Sequence, residues 1–361
     1  MANYTTIDDP SAHFQVATWT GTGSTLTVTN DGNSNLQPDF VWMKCRDTNT
    51  AHFLQLSNLG VTKYFRSNLT SEIATASSLI TSFNTDGFTL SEYSTNNQNT
   101  EKNVGWQWKA NGNSTSSNTD GDITSTIQTN STAGFTIGTY TGNGSDNQTI
   151  GHGLGAKPNC IILKRKDTAA AWLVWHEENS ANHVLRLPHS NGESDSASGR
   201  VSARASNSRG SSTIFTVFQG SSAYDNCNIS GDTYVFWAWA EKQGYSKFGQ
   251  YVGNGSTTDG PFTYTGFKPA FVLIKARDAD KDWVVVDDER NVNGDIQLLY
   301  ANTTSPDVES PSSGAHIDLL SNGFKIYDNY SLTNQANIVY VYMAFAKNPF
   351  VTSTGIMGTA R

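Results

Sequence analysis

FTIGTYTGNGS (residues 135–145) alternates apolar and polar side chains and then runs into a Gly-x-Gly-Ser turn. A period of two is the pattern of a strand with one buried face. The phrase recurs as FQVATWTGTGS (14–24) and FGQYVGNGS (248–256). Downstream of each copy stand a proline, an apolar run, a lysine and an aspartate: PDFVWMKCRD (38–47), PNCIILKRKD (158–167) and PAFVLIKARD (269–278). The aspartate follows the proline by nine residues in all three. An aromatic comes five or six residues later (Phe53, Trp172, Trp283), and each copy closes on an aromatic strand, at 104–108, 234–239 and 340–345.

The prolines are 120 and 111 residues apart. Solenoid and propeller repeats run at roughly 20–50 residues, so each copy has the size of a whole small domain. Asp31-Gly32, Asp86-Gly87, Asn143-Gly144, Asn254-Gly255 and Asn322-Gly323 supply hairpin turns. The apolar run after each proline does not alternate, which marks a strand covered on both faces. Long stretches of period 3.6 are absent; residues 54–59 and 71–80 are the best short-helix candidates.

The expected fold is all-β: three tandem β-sandwich domains of about 110 residues, of jelly-roll or lectin-like type. Their expected bounds are 13–110, 133–244 and 245–350, with an N-terminal arm (1–12), a polar linker (111–132) and a C-terminal tail (351–361). Trp19, Pro38 and Trp106 are the core signature of the first copy. Tyr140, Pro158, Trp172 and Trp239 mark the second; Tyr251, Pro269, Trp283 and Phe345 mark the third.

Composition narrows the function. Charged residues are 16%, against about 25% in an ordinary soluble domain, and the net charge is −8. The remainder is filled by uncharged polar residues, with 34 asparagines. Such a surface cannot supply the counterion release that dominates nucleic-acid affinity. The one dense basic run, Lys164-Arg165-Lys166, reads as a solvated strand end. No apolar stretch approaches the ~18 residues of a membrane span, and no secretory leader is expected at residues 1–9. Three scattered cysteines (Cys45, Cys160, Cys227) predict neither a disulfide framework nor a zinc site.

Chemistry-bearing motifs are sparse. Asp278, Asp280 and Asp282, with Glu289 downstream, copy the spacing of a calcium loop. Trp283 stands where such a loop needs glycine, so a solvated hairpin is the better reading. Asp287-Asp288-Glu289 follow a strand and point alternately to opposite sides, unlike a catalytic carboxylate pair. His176, His183 and His189 lack a zinc-helix spacing and read as surface residues. In GHGLG (151–155) no helix follows the glycines, which excludes a phosphate cradle. No nucleophile elbow is present, and neither an enzyme nor a cofactor is expected.

At this point several strings carry a resemblance: TYTGNGS (139–145), GHGLGAKP (151–158), EKQGYSKFGQYVGNGSTTDGPFTYTGFKPAFVLIK (241–275), IDLLSNGFKIY (317–327) and YMAFAKNPF (342–350). They resemble a family of virion structural proteins of tailed bacteriophages, particularly marine ones such as cyanophages, commonly labelled tail or tail-fibre proteins. YTTIDDPSAHFQ (4–15) and NPFVTSTG (348–355) resemble it too. The resemblance implies a virion component on the tail or head surface, in contact with other virion proteins, and supplies no catalytic residue. Exterior phage proteins are commonly homotrimers, so a trimer is the expected assembly. Three functions follow as expectations: a tail-associated host-binding protein whose loops recognise host-surface polysaccharide, a capsid decoration or head–tail connector, and a polysaccharide-degrading tailspike. Without heptads or a β-helical tract, a fibre role would be that of a compact tip or adaptor.

Overall fold

The computed structural model describes residues 4–195, 201–203, 210–220, 226–290, 297–309 and 316–358. The chain is all-β, and its strands pair antiparallel throughout the named sheets. One strand order recurs in three large sheets: opening strand, closing strand, proline-led strand, then the strand after the aspartate loop. In the first sheet these are Phe14–Thr20, Lys102–Trp108, Phe40–Cys45 and Phe53–Leu56. In the second they are Phe135–Thr141, Thr233–Trp239, Cys160–Arg165 and Trp172–His176. In the third they are Ser246–Val252, Val339–Pro349, Phe267–Ala276 and Val284–Asp287. Each large sheet carries its own three-stranded sheet on one face, built respectively on Phe88–Leu90, Ile214–Val217 and Gly323–Ile326.

The period of two explains the continuous apolar runs. In Phe40–Cys45, Val41 and Met43 point into the core beneath the first unit's small sheet. Phe40 and Trp42 point the other way, into a core shared by all three units. Ile161 and Leu163 against Cys160 and Ile162, and Val272 and Ile274 against Phe271 and Leu273, divide in the same manner. Equivalent closing-strand residues meet at the centre: the Trp108 ring lies 6.3 Å from Trp239 and 5.5 Å from Phe345. The sequence led us to expect three separately buried cores; a fourth, common core joins them. Burying each of its large side chains contributes roughly 1.5–3 kcal/mol.

Neighbouring units are stitched through the loop after each proline-led strand. Ala170 N donates to Thr70 O and Ile73 N to Lys166 O, both at 2.9 Å, between units two and one. Lys281 N donates to Ser190 O at 2.8 Å and Glu193 N to Arg277 O at 2.7 Å, between units three and two. Asp307 N donates to Arg46 O at 2.7 Å, closing the ring from unit three back to unit one.

The Gly-x-Gly-Ser turn has one construction in all three units. A Cβ on Gly21, Gly142 or Gly253 would fall 2.1–2.2 Å from a backbone carbonyl oxygen, and Gly23, Gly144 and Gly255 have φ of 64°, 77° and 67°. Only glycine meets both demands cheaply. A fully buried asparagine clamps each turn: Asn97, Asn228 and Asn334 accept from the amides of Thr22, Asn143 and Asn254 at 3.0, 3.0 and 2.8 Å. The aromatic of the opening strand donates to the carbonyl just before the clamp, as Trp19 Nε1 to Asn96 (2.8 Å), Tyr140 OH to Cys227 (2.5 Å) and Tyr251 OH to Thr333 (2.8 Å).

Several expectations are corrected here. Residues 111–132 hold Ser116–Asn118 and Ser125–Asn130, which extend the second unit's large sheet; they are not a free linker. Asp39 pins their start, accepting from the amides of Ala110, Gly112 and Asn113 at 2.8–2.9 Å. Residues 54–59 form the end of a strand and a short 3-10 turn, and 71–80 hold two strand segments, because pairing with the sheets overrides weak helical periodicity. The arm packs at the junction of units two and three: Thr5 Oγ1 donates to Gln243 O at 2.8 Å, Tyr4 OH donates to Gly266 O at 2.9 Å, Ile7 is buried, and Ser353 N of the tail donates to Asp8 Oδ1 at 2.6 Å. Residues 1–3 and 359–361 lie outside the described residues.

Candidate functional site

Asp278, Asp280, Asp282 and Glu289 do not converge. Asp278 accepts from Arg277 Nε at 2.8 Å, Asp280 from Gly192 N at 3.0 Å, Asp282 from Asn302 Nδ2 at 2.7 Å and Glu289 from Lys347 Nζ at 2.7 Å. Among the described residues no group of three or more His, Cys, Asp or Glu is placed to hold a metal ion. Of the core signature, Trp19 is half-buried and the other ten residues are buried.

Two ionisable groups that sequence reading placed in solvent, Lys164 and His176, are buried and structural, whereas Asp278 and Asp280 are exposed and His183 and His189 half-buried. Lys164 is fully buried, and its Nζ donates to Thr70 O and Ala170 O, both at 3.0 Å; Arg165 pairs with Asp232 at 2.6 Å. This basic run is therefore a seam contact and not a solvated strand end. Lys44 and Lys275 hold the same position as Lys164: Lys275 Nζ also crosses a seam, to Ser190 O at 2.8 Å, whereas Lys44 Nζ stays within unit one, on Thr48 O at 3.0 Å. Burial lowers all three ammonium groups, Lys44 to about 8 and the other two to about 7.

His176 is likewise buried, against expectation. Its Nδ1 accepts from Glu178 N at 3.2 Å, so Nε2 carries the proton and donates to Tyr342 O at 3.0 Å. In unit one His52, rather than the adjacent Phe53, is the true counterpart of Trp172 and Trp283, five residues after the aspartate. Each of the three sends a ring N–H to a carbonyl of the neighbouring unit: His52 to Tyr300 (3.0 Å), Trp172 to Leu69 (2.9 Å) and Trp283 to Arg186 (3.2 Å). Trp42 Nε1 donates to His52 Nδ1 at 2.9 Å, which fixes that tautomer. His152 of the glycine-rich string accepts from Leu154 N at 3.2 Å, tying the loop without any phosphate cradle. Burial holds these imidazoles neutral, His52 down to about 3 and His152 and His176 to about 4.

Among the described residues, one pair of exposed aromatics on a single strand that no packing role absorbs lies on the third unit. Phe262 and Tyr264 flank buried Thr263 on an edge strand and both face outward, 46% and 52% exposed. The corresponding strands of the other units carry no aromatic residue, being Leu26–Val28 and Gln148–Gly151. Tyr4 of the arm joins the pair, its hydroxyl 3.1 Å from that of Tyr264 and donating to Gly266 O at 2.9 Å. Lys325, across from Phe262, is held by Asp259 and lies 5.8 Å from the Tyr327 ring. Exposed aromatic faces gathered at one edge strand, with the Lys325–Asp259 pair beside them, mark a contact surface.

A family model for DUF7483, a domain of unknown function, matches residues 9–349. The chain belongs to that family. The match runs through all three sandwich units, the first as well as the second and third. No curated protein and no solved structure matches the chain. Among the described residues, no helix is long and apolar enough to cross a membrane.

Proposed function

We propose that this protein is a non-enzymatic structural component of a tailed-bacteriophage virion, tail-associated, that recognises host-surface polysaccharide. The strings resembling virion proteins support the virion reading. The observation that carries recognition is the outward pair Phe262 and Tyr264, which only the third unit displays on this strand. The three inward faces are already joined within one chain, so association into a trimer, or with other virion proteins, would use outer sheets and loops. An uncharged polar surface keeps such binding insensitive to salt.

The test is binding of the purified chain to immobilised host polysaccharide. Because both rings are exposed, F262A/Y264A is expected to melt where the parent does and to bind roughly tenfold or more weakly, a loss of at least ~1.4 kcal/mol. Unchanged binding by that variant would reject the site. Attachment to empty capsids with no polysaccharide binding would favour the decoration role, and release of reducing sugar ends would favour a tailspike.

A further inference from the structure

The second unit shows what fits along the outer edge of its small sheet. Its edge strand Gln148–Gly151 pairs inward with Ile214–Val217. On the other side runs the stretch 121–125, which precedes the unit's opening strand. Ile123 N donates to Thr149 O at 3.0 Å, and Ile123 forms a parallel bridge with Ile150. Asp122 Oδ2 accepts from Thr149 N at 3.0 Å and from Thr149 Oγ1 at 2.8 Å. Ser125 Oγ donates to Gly151 O at 2.7 Å. Thr149, Ile150 and Ile123 are all buried.

Unit one carries the same strand without the cover. Thr27 lies opposite Thr89 and Val28 opposite Phe88, as Thr149 lies opposite Thr216 and Ile150 opposite Phe215. The shared register turns the Thr27 N–H and C=O outward, as it does those of Thr149. Among the described residues neither group meets a partner, and Thr27 and Thr29 are exposed. The Thr27 hydroxyl rests 3.2 Å from that of Thr89, on the surface. Leu26 on the same strand is half-buried, and so is Trp19, whose counterpart Tyr140 is buried. In unit three Thr263 lies opposite Phe324, which puts Phe262 at the Thr149 position, with no hydroxyl to offer. Of these two units, unit one alone repeats the threonine–aliphatic pair.

An edge with free amide and carbonyl groups is a template for one more strand. We infer that Leu26–Val28 takes an extended segment of a partner protein, running parallel to it. An aspartate of that segment accepts from the Thr27 amide and hydroxyl, the next residue, β-branched and apolar, donates its amide to Thr27 O, and a serine two places further reaches Thr29 O. The occupant's chemistry is that of Asp122-Ile123-Thr124-Ser125, which this chain seats on the equivalent edge. Its apolar side chain closes over the half-buried Trp19 and Leu26. A second copy could lend its own residues 122–125 only by uncovering its second unit. The edge shares no residue with the Phe262–Tyr264 face, so the inference does not rest on polysaccharide recognition.

Titration of the isotope-labelled full chain with the peptide TDGDITSTI (residues 119–127), followed by amide NMR shifts, tests it. Saturable shifts centred on residues 26–29 are expected, and none with a scrambled peptide. Asparagine in place of the peptide's Asp122 is expected to weaken binding roughly tenfold, since the bond to a carboxylate is charge-assisted. Thr27→Val keeps the backbone and removes the hydroxyl; it is expected to melt with the parent and bind several-fold more weakly. Thr27→Pro removes the outward N–H, which the ladder to Phe88–Leu90 does not use, and is expected to abolish binding. No saturable binding by the parent, or undiminished binding in both folded Thr27 variants, would overturn the proposal. Shifts centred on residues 262–264 would overturn it in favour of unit three's edge. Dimerisation that Thr27→Pro abolishes, with no peptide binding by the parent, would overturn it in favour of a second copy.

Discussion

Arg290→Ala is expected to cost about 3–5 kcal/mol of folding stability, the penalty for removing one partner from a buried ion pair. Its side chain is fully buried, as is that of Asp287. Arg290 Nε donates to Asp287 Oδ2 at 2.7 Å, Nη1 to Asp307 Oδ1 at 2.8 Å and Nη2 to Val285 O at 3.2 Å, and the guanidinium lies 5.7 Å from the Trp106 ring. The chain of charges continues to Arg46, 2.5 Å from Asp307, and Trp106 Nε1 donates to Asp287 Oδ2 at 2.9 Å. Trp106 and Arg46 belong to unit one and the rest to unit three, so this network closes the ring. Losing the guanidinium leaves Asp287 without a countercharge in a low-dielectric seam, holding only the Trp106 N–H and backbone, while Asp307 keeps Arg46. Urea denaturation checks it; a loss below ~1 kcal/mol, the level of an exposed pair, would contradict the buried assignment.

Acid is expected to destabilise the fold steeply between pH 6.5 and 4. His52, His152 and His176 have folded-state values lowered from 6.5 to about 3, 4 and 4. For a lowered group the stability is present above the unfolded value and is lost as pH falls toward the folded one. A tenfold difference in proton affinity between the folded and unfolded chain is worth ~1.4 kcal/mol, so at pH 4 the three together withdraw several kcal/mol. The geometry gives the reason. In His52 and His176 one ring nitrogen already accepts an N–H, and a second proton there would set two donors face to face. Asp288 works in the opposite sense: its value is raised, so its contribution is present at low pH and fades as pH rises through about 7. Burial raises Glu177 and Asp328 in the same sense as Asp288 and lowers His13 with the other three imidazoles, so four imidazoles stand against three carboxyls. Urea midpoints measured from pH 7.5 to 4 should fall in the parent and flatten in H52Q/H176Q, where an amide replaces the neutral ring; a flat profile in the parent would contradict the assignment.

The repeat was legible because its spacing is rigid. Proline, lysine and aspartate keep their intervals since each sits at a fixed register of the same strand and loop. What lies between the copies was not legible. Alternation shows that Phe40 and Val41 face opposite sides, but it does not tell whether the second side meets solvent, a covering layer or another unit. The shared core therefore appeared only in three dimensions. The clamp residues Asn97, Asn228 and Asn334 were hidden for another reason, being three among 34 asparagines, though their side chains fix the very turns that marked the repeat. His52 was missed because an aromatic next to it satisfied a loose interval; a strict count of five from the aspartate finds it. Ala270 was hidden as an absence: the other copies carry Asp39 and Asn159 at that position, each paired with a side chain, and only comparison between units makes an absence informative.

Three sandwiches that share one core should unfold as one. Equilibrium urea unfolding of the full chain, followed together by tryptophan fluorescence and far-UV circular dichroism, is expected to give a single coincident transition, with residues 245–350 expressed alone failing to reach that midpoint. Separate transitions, or an isolated third unit as stable as the whole chain, would show that the units are independent beads and that the common core does not hold them.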